Sequence, residues 1–481
     1  MSFIDKDLQS IQEARILIEQ ASVAQTMLLE YPQSLLDRVT GVAIQELTKI
    51  GPTFLEKAVQ ESKYGNLIDE STLLNRVLTS FSEDYLPETY VGILTYGTDG
   101  KVLEIGVPLG ITVILLPAEN TIVNAIFSIL TCLKTGNACV VVPHKRALSA
   151  TQDILSYLER LVEENGLPRG SVSCVSHLSD EGVLTLLDHP QTAAVINIGN
   201  LNYTDTPLKN SKPIFYGGTG STPVFIEKTA NIQQACQQIV TSRSFDNGIL
   251  AGAEQYLITE ALIAQQVKEE LIRQGAYFMT QEDEVKLLEL MKPYGTEGCS
   301  EVVGQSAVNL AFRAGMTVPA TTKLLVSEQN YILTENPYTD ELKFPILVFY
   351  LEPDWLRACE KCLELLKEKR NGHSLVIHSK NEDVIEEFAL KKPVARVLVN
   401  APATFASMGL GSNLNMTVIL GGLTIGHGVT AKNITPKELT YIRQIGYEKA
   451  APNVTTKSAS TTIPQEPTID GLIKMLKELA K

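Results

Sequence analysis

The chain has 481 residues, of which 44% are hydrophobic and 20% are charged, and its formal net charge is -14. This composition predicts a folded protein of two or three packed domains and excludes a disordered chain. The acidic balance, and a sequence without a stripe of Lys and Arg, argue against a nucleic-acid partner.

The apolar stretches of the sequence do not suggest a membrane protein. The longest runs from Val107 to Ala118 and is interrupted by Pro108, Gly110 and Pro117. It is far shorter than the roughly 20 residues that a membrane-spanning helix needs. The first residues also lack the basic region and apolar run of a secretory signal. We therefore expect a cytoplasmic protein with no membrane partner.

The seven cysteines are scattered and odd in number, which predicts reduced intracellular thiols rather than disulfides. Cys132 and Cys139 lie in apolar patterns and are expected to be small buried hydrophobic residues. Cys359 and Cys362 have the CxxC spacing, but no second pair completes a metal site. The six histidines show no metal-ligand spacing either, so we predict no metal.

Hydrophobic periodicity changes along the first part of the chain. Helical spacing from Lys6 to Thr48, punctuated by Tyr31-Pro32, predicts an antiparallel pair of helices. From Val102 onward, short β-branched runs alternate with a helical segment at Val123–Lys134. This alternation is typical of βαβ units and of a doubly wound parallel sheet. The predicted strands are Ile111–Leu116, Ala138–Val142 and Ala193–Ile198.

A second α/β region is expected to begin near Val224. Its predicted helices include Ala261–Gln274 and Trp355–Lys369. Its predicted strands are Tyr256–Ile258, Leu324–Val326, Ile346–Tyr350, Leu375–Ile377 and Val397–Val399. We therefore predict an α/β protein with N-terminal helices and a Rossmann-type domain in residues 1–223, a second α/β domain in residues 224–446, and a cleft between the domains.

The C-terminal segment differs from the rest of the chain. Residues 447–468 are rich in Ser, Thr and Pro and predict a flexible linker. Residues 469–481 follow as an amphipathic helix, with Leu472, Ile473 and Leu476 on its apolar face. A helix this short needs a partner surface. That surface would belong to this chain, to a sister subunit or to another protein.

The segment Ser244–Gln255 carries the most informative motif, Phe-Asp-Asn-Gly-Ile-Leu-Ala-Gly-Ala-Glu-Gln from residue 245. It resembles the Phe-Asp-Asn-Gly-x-x-Cys-x-x-Glu-Gln signature of CoA-acylating aldehyde dehydrogenases, which include the N-terminal half of bifunctional aldehyde-alcohol dehydrogenases. In that family the cysteine attacks the aldehyde and carries the acyl group as a thioester. Here the position is Ala251, whose methyl group has no lone pair and no ionisable proton.

The resemblance covers roughly Asp5 to Tyr447. It implies an aldehyde dehydrogenase-like fold, with an NAD-binding domain in residues 1–223 and a catalytic domain in residues 224–446. The implied reaction converts an aldehyde, CoA and NAD to acyl-CoA and NADH, and we predict that the chain as written is inactive in it because of Ala251. The family also implies a homodimer or tetramer.

The resemblance assigns Asn120 as a hydrogen-bond donor of the oxyanion hole. Pro117-Ala118-Glu119-Asn120 is similar to the family loop whose asparagine amide stabilises negative charge on the aldehyde oxygen, and one such donor is worth roughly 3 to 4 kcal/mol. Thr121 and Ile122 depart from the family pattern. Asn120 is equally consistent with a helix N-cap.

Further motifs resemble the family's cofactor site. The loop after the strand Ala138–Val142 is similar to the one that holds the adenosine half of NAD, which assigns Pro143, His144 and Arg146 to the cofactor. His144 is equally consistent with a loop residue that caps local carbonyls. No pair of arginines for a 2′-phosphate stands out, so the sequence does not choose between NAD and NADP.

Four more residues are assigned by resemblance. Gly218 and Gly220 lie in a glycine-rich loop, a composition that suits close approach of a cofactor or simply a tight turn. Glu341 matches the glutamate that binds the nicotinamide ribose, and its alternative is a charge on a surface loop. His373 lies in a Gly-His-Ser turn and is expected to hold the active-site loop rather than to transfer protons.

Ala251 is one of four departures from the family pattern around the expected cleft. The others are the residues after Asn120, Ile198-Gly199-Asn200 in place of Thr-Gly-Gly, and Leu420–Gly428 in place of a Leu-Gly-Cys-Gly element. A single laboratory substitution explains only one of them. Three hypotheses follow: a natural pseudoenzyme, an acylating enzyme with a substituted nucleophile, or direct hydride transfer without a nucleophile.

The tail suggests a role for the pseudoenzyme. A linker followed by a short amphipathic helix resembles the encapsulation peptides that load enzymes into bacterial microcompartments. Residues 469–481 are therefore expected to bind a shell protein. On this hypothesis the chain lies inside a microcompartment and serves there as an assembly or scaffold subunit.

Overall fold

The computed structural model describes residues 5–95, 102–203, 212–218, 220–292, 302–333, 335–368, 372–447 and 469–479. The helices are α1 (Lys6–Leu28), α2 (Gln33–Ser62), α3 (Leu67–Asp84), α4 (Thr121–Lys134), α5 (Leu148–Glu164), α6 (Asp180–Asp188), α7 (Ile232–Ser244), α8 (Ala264–Gln274), α9 (Gln281–Met291), α10 (Ala307–Arg313), α11 (Trp355–Glu368), α12 (Glu382–Leu390), α13 (Ala403–Ser407) and α14 (Ile469–Glu478). The strands are β1 (Gly92–Thr95), β2 (Leu103–Pro108), β3 (Ile111–Leu115), β4 (Cys139–Val142), β5 (Val172–Cys174), β6 (Thr192–Ile198), β7 (Ile214–Gly217), β8 (Thr222–Ile226), β9 (Glu254–Glu260), β10 (Ala276–Phe278), β11 (Leu324–Glu328), β12 (Ile346–Glu352), β13 (Ser374–His378), β14 (Arg396–Val399) and β15 (Thr440–Ile445).

The first domain is built on five parallel strands in the order β5-β4-β3-β6-β7. Every residue of β3 and β4 is buried, as expected for a parallel sheet covered by helices on both faces. α1 packs against α6 and against β3, β4 and β5, whereas α2 packs against α4 and α5. These elements confirm the predicted N-terminal helices and the doubly wound sheet.

The strand order of this sheet reverses next to β3. From β3 the chain passes to β4 and β5 on one side, and then returns to β6 and β7 on the other. Parallel sheets of this kind bind ligands in the crevice at the carboxyl ends of the strands beside such a switch point. The topology therefore places a candidate ligand groove beyond the ends of β3, β4 and β6.

The second domain contains seven parallel strands in the order β10-β11-β12-β9-β8-β13-β14. Its first strand begins at Thr222, shortly after β7 ends at Gly217. All predicted strands of the second α/β region are present, and α8 and α11 match the predicted helices. A three-stranded antiparallel sheet, β1-β2-β15, also forms, and the sequence did not predict it.

The amphipathic C-terminal helix is present as α14, and the side chains of residues 470–479 are exposed. The predicted linker lies outside the described residues apart from Tyr447. In the part of the chain that the structure describes, the helices include none with the length and apolar character needed to cross a membrane.

Candidate active site

A strained turn precedes Ala251. After α7 ends at Ser244, a short 3₁₀ turn at Phe245–Gly248 contains two successive non-glycine residues in the left-handed region, Asp246 with φ 48° and Asn247 with φ 54°. Each such residue costs on the order of 1 to 3 kcal/mol and persists only where its surroundings fix it. The turn therefore depends on contacts from elsewhere in the fold.

Hydrogen bonds to Asp246 provide those contacts. The Asn66 backbone N–H donates to Asp246 Oδ1 at 2.7 Å, and Asn120 Nδ2 donates to Asp246 Oδ2 at 2.8 Å. The Asp246 N–H donates in turn to Asp69 Oδ2 at 2.7 Å. Asn247 Nδ2 donates to the Gly304 carbonyl at 2.8 Å. The start of α3 and the start of α4 thus fix the turn that carries the signature motif.

The carboxyl groups beneath this turn are strongly perturbed. Burial raises the pKa of Asp246 to about 7, although the Asn66 and Asn120 hydrogen bonds oppose this shift. Burial, reinforced by the Asp246 charge, also raises the pKa of Glu70 well above its ordinary value. Two buried carboxyl groups therefore interact electrostatically, and their ionisation states are linked.

Ala251 lines a cavity together with Asn120, Gly218, Glu341 and Lys343. Apolar side chains such as Leu73, Val123, Ile249 and Met408 complete much of the wall. The structure thus brings together four residues that the sequence proposed from separate motifs: Ala251, Asn120, Gly218 and Glu341.

His373 is buried beside the Ala251 loop. Burial, and then the Arg396 charge, lower its pKa to about 3, while the Ala251 backbone opposes the shift. His373 Nδ1 lies 2.8 Å from the Ser374 hydroxyl, whereas Nε2 has no partner of good hydrogen-bond geometry among the described residues. A Cβ atom on Gly218 would lie only 3.2 Å from His373 Cδ2. A neutral, packed imidazole supports the predicted positioning role over proton transfer.

The two final residues of the motif hold neighbouring segments. Glu254 Oε1 accepts from the Ala403 N–H at 2.7 Å, and burial raises the pKa of this carboxyl to about 7. Gln255 Nε2 donates to the Asp340 carbonyl at 2.6 Å, and its Oε1 accepts from the Leu342 N–H at 2.8 Å. Gln255 therefore fixes the backbone on both sides of Glu341, a function that the motif alone did not indicate.

Glu341 is half-buried and its carboxylate points into the site. Its Oε1 accepts from the Gly220 backbone N–H at 2.7 Å. The alternative of a free charge on a surface loop is therefore wrong, because the side chain lines the cavity and binds the glycine-rich loop. Gly220 contributes its amide to this contact.

The ion pair between Glu119 and Lys343 was not predicted from the sequence. Lys343 Nζ lies 2.8 Å from Glu119 Oε1, and both side chains are largely buried. Burial alone would raise the pKa of Glu119, but the charge and hydrogen bond of Lys343, together with a backbone hydrogen bond, outweigh this effect, and the pKa lies below its ordinary value. Both residues border the cavity and also the larger groove beside it. The pair therefore stands where the two spaces meet.

The groove lies at the carboxyl ends of β3, β4 and β6, where the topology predicts a ligand site. Its walls include Pro143–Arg146 after β4, Gly199–Tyr203 after β6 and Ser179–Glu181 at the start of α6. The Arg146 guanidinium lies 5.2 Å from the centre of the Tyr64 ring. Pro143, His144 and Arg146 thus share one wall, as the sequence proposed.

Two structural alternatives from the sequence need correction. Asn120 occupies the N-cap position of α4, but its side chain makes no capping hydrogen bond, because its backbone is left-handed (φ 47°) and its amide is held by Asp246. His144 does not cap carbonyls: its Nδ1 accepts from the Arg146 backbone N–H at 3.2 Å. Burial lowers the pKa of His144, with the Glu119 charge opposing the shift.

Among the described residues, no thiol lines the cavity and no cluster of metal ligands forms. The described free cysteines are Cys132, Cys139, Cys174, Cys236, Cys359 and Cys362, and the cavity lining includes none of them. Cys299 lies outside the described residues. Within the described ranges, His, Cys, Asp and Glu side chains form no cluster of three or more that could hold a metal ion.

A profile described as "Aldehyde dehydrogenase family" matches residues 78–410 of this chain. The bifunctional aldehyde-alcohol dehydrogenase of Escherichia coli K12 is 26% identical over 436 residues, which are 89% of this chain and 49% of that protein. The chain therefore spans about half the length of the curated relatives that match it first.

Solved structures agree with this assignment. An acetylating aldehyde dehydrogenase from Geobacillus thermoglucosidasius is 31% identical, with a TM-score of 0.89 over 93% of this chain and 98% of that one. An engineered glycolyl-CoA reductase with bound NADP⁺ is 25% identical, with a TM-score of 0.78 over 90% of this chain and 96% of that one. The predicted aldehyde dehydrogenase-like fold is confirmed.

Proposed function

Because the chain belongs to the aldehyde dehydrogenase family, we propose that it binds a nicotinamide dinucleotide and a small aldehyde but does not form the covalent acyl intermediate of CoA-acylating enzymes. One observation carries this proposal. Ala251 stands in the cavity at the motif position of the family nucleophile. A methyl group cannot attack a carbonyl carbon, so thioester chemistry does not start at this residue.

The described side chains of the cavity offer no thiol, hydroxyl or imidazole as a substitute nucleophile. Among these residues the lining includes no Cys, Ser, Thr or His, and the one lysine, Lys343, is paired with Glu119 at 2.8 Å. The pairing favours the ammonium form, which has no lone pair for attack. Direct hydride transfer is also disfavoured, because without a thiol only an aldehyde hydrate supplies the tetrahedral hydride donor.

The groove fits the dinucleotide that the family implies. It lies at the switch point of the doubly wound sheet, and Pro143, His144 and Arg146 form the wall that would hold the adenosine half. Glu341, fixed by Gly220 and Gln255, would hold the nicotinamide ribose. When bound, the nicotinamide supplies a hydride acceptor. The groove and the cavity meet at Glu119 and Lys343, so one ligand can reach both.

Asn120 is the residue of this chain that would orient an aldehyde. Its amide nitrogen carries two hydrogens, one of which it donates to Asp246. The carboxylate fixes the orientation of the amide, and Asn120 lines the cavity with Ala251. An aldehyde oxygen there would accept the second N–H. CoA is the further substrate that the family resemblance implies.

We expect the unaltered chain to bind NADH. A bulky side chain that fills part of the groove should weaken this binding at least about tenfold. Leu201 is half-exposed on the groove wall, so Leu201→Trp would occupy space that the dinucleotide needs. Leu262→Trp is the matched control, since Leu262 is 78% exposed and is not part of the groove lining. Isothermal titration calorimetry with NADH and NADPH measures each affinity. No binding to the folded, unaltered chain would refute the dinucleotide site.

We propose a second function for α14, supported by its exposed apolar face: it binds a shell protein of a bacterial microcompartment. Exposed apolar side chains of this helix are Leu472, Ile473, Met475, Leu476 and Leu479. The side chains of residues 470–479 do not bury themselves against the rest of this chain. Among the described residues, α14 is therefore not docked on the rest of the chain, and a separate partner would cover the helix.

This helix can be tested apart from the enzyme fold. Residues 468–481 fused to a fluorescent protein should form foci in cells that assemble shells, because the apolar face of α14 would insert against a shell protein. The same fusion with Leu472→Asp and Leu476→Asp should stay diffuse, since two charges interrupt that face. A diffuse signal from the unaltered fusion in cells with shells would contradict the proposal.

A further inference from the structure

Cys359 and Lys392 meet in the second domain, away from the cavity and the groove. Cys359 lies on α11, and Lys392 lies just after α12, in the segment that leads into β14. Cys359 is 4% exposed and Lys392 is 9% exposed. Two reactive side chains from different elements are therefore brought together in a largely buried position.

The distance between the reactive atoms is 2.6 Å, from Lys392 Nζ to Cys359 Sγ. Hydrogen bonds from nitrogen to oxygen have lengths of about 2.7 to 3.2 Å, and those to the larger sulfur atom are longer. A separation of 2.6 Å is thus too short for an ordinary N–H···S contact. It suits a nitrogen and a sulfur that are joined through one shared oxygen atom.

The surroundings of Lys392 give an independent reason to expect a modified amine. Cys359 is the only hydrogen-bonding partner of its amine among the described residues. The amine also lies 3.9 Å from the centre of the Phe388 ring. The neighbouring Lys391, by contrast, is exposed and pairs with Glu387. A buried ammonium without a carboxylate is costly, and converting the amine to an uncharged group removes that cost.

We propose that Cys359 and Lys392 form an oxidative modification site, in which hydrogen peroxide joins Sγ and Nζ through a bridging oxygen. The S–H bond and one N–H bond of the neutral amine break, and an S–O and an O–N bond form. Sulfur and nitrogen each lose two electrons, which reduce two molecules of peroxide. One peroxide oxygen stays in the bridge and three molecules of water leave. Two molecules of a dithiol reverse the step, because each returns two electrons as it forms its own disulfide, and the bridging oxygen leaves as water.

Cys362 is the natural comparison within the same helix. It is fully buried, and burial raises the pKa of its thiol to about 12, so little reactive thiolate forms there. Its position one turn further along α11 makes a disulfide with Cys359 the competing oxidation product. The two products are distinguishable, because they link different tryptic peptides.

The bridge would tie α11 to the segment before β14. The cross-link would restrict the unfolded chain between residues 359 and 392, as a disulfide does. We therefore expect peroxide treatment of the full chain to raise its melting temperature by about 2 to 5 °C. Dithiothreitol should return the melting temperature to its starting value.

Mass spectrometry of the peroxide-treated full chain tests the site directly. Trypsin releases Cys359 in residues 358–361, Cys362 in residues 362–367 and Lys392 in residues 392–396. We expect peptides 358–361 and 392–396 to be joined, with a mass about 14 Da above the sum of the two, for one oxygen gained and two hydrogens lost. Dithiothreitol should separate them.

Variants assign the link to these atoms. Lys392→Arg should abolish the joined peptides and the rise in melting temperature, whereas Lys391→Arg and Cys362→Ser should keep both. The digest of the unaltered chain decides the question even if a variant fails to fold. A disulfide between peptides 358–361 and 362–367, sulfur oxidation confined to peptide 358–361, or unchanged peptides would each overturn the proposal.

Discussion

Ala251→Cys is expected to produce CoA-dependent NADH formation from short aldehydes, at a rate at least about 10³-fold above that of the unaltered chain. We expect this gain because the surroundings of residue 251 are already formed. The turn at Phe245–Gly248, its hydrogen bonds to Asp246 and the Asn120 amide are all in place around residue 251. A thiol is the group that the cavity lacks. Absorbance of NADH at saturating aldehyde and CoA measures the gain.

Ala251→Ser is the matched control for this substitution. A serine hydroxyl has nearly the size of the thiol, but it is a far weaker nucleophile unless a base removes its proton. The lining carboxylates Glu119 and Glu341 are held by Lys343 and by the Gly220 amide, and burial lowers the pKa of the packed His373 to about 3. We therefore expect no activity from this variant. A folded Ala251→Cys variant that binds NADH but stays inactive would reject the substituted-nucleophile hypothesis and favour the pseudoenzyme, because the other departures would then also disable the site.

Asp246→Ala is expected to lower the free energy of unfolding by about 3 to 5 kcal/mol. The substitution leaves the half-buried Asn66 N–H and the buried Asn120 amide without an acceptor, and it places a residue that prefers other backbone regions at φ 48°. Urea unfolding at pH 7 measures the change. NADH affinity of the folded variant reports whether the groove persists.

Asp246→Asn separates the hydrogen bonds from the charge. Asn tolerates the left-handed region and keeps an acceptor for the Asn66 N–H. Its amide nitrogen would replace the oxygen that accepts from Asn120, so the Asn120 amide must turn over and accept through Oδ1, which has no partner among the described residues. Because burial already raises the pKa of Asp246 to about 7, the neutral amide replaces a group that is partly protonated near that pH. We expect this variant to lose only about 1 kcal/mol. An Asp246→Ala variant as stable as the unaltered chain would show that the turn is not held by this side chain.

Local pattern accounts for most of the fold. The strands β3 and β4 follow from runs of β-branched residues, because parallel strands buried on both faces need apolar side chains at every position. The β1-β2-β15 sheet could not be predicted from local pattern. It pairs β2 with β15, which lies more than three hundred residues further along the chain, and its strands are short and partly exposed. No local periodicity indicates such a pairing.

For the candidate site, too, the sequence motifs identified the residues but not the contacts that hold them in place. Ala251, Asn120 and Glu341 were found through motifs with fixed spacing, and they border one cavity. The contacts that hold them join distant residues: Asn120 meets Asp246 across 126 positions, and Lys343 meets Glu119 across 224 positions. Both contacts arise from packing between elements, which a single sequence does not encode in any short pattern.

The missing nucleophile can be tested most directly by intact-mass analysis after incubation with acetyl-CoA. A thiolate at residue 251 would take the acetyl group from the thioester, a transfer that needs neither aldehyde nor dinucleotide. The account predicts that Ala251→Cys gains one acetyl group of about 42 Da while the unaltered chain keeps its mass. Stoichiometric acetylation of the unaltered chain at a residue lining the cavity would contradict it.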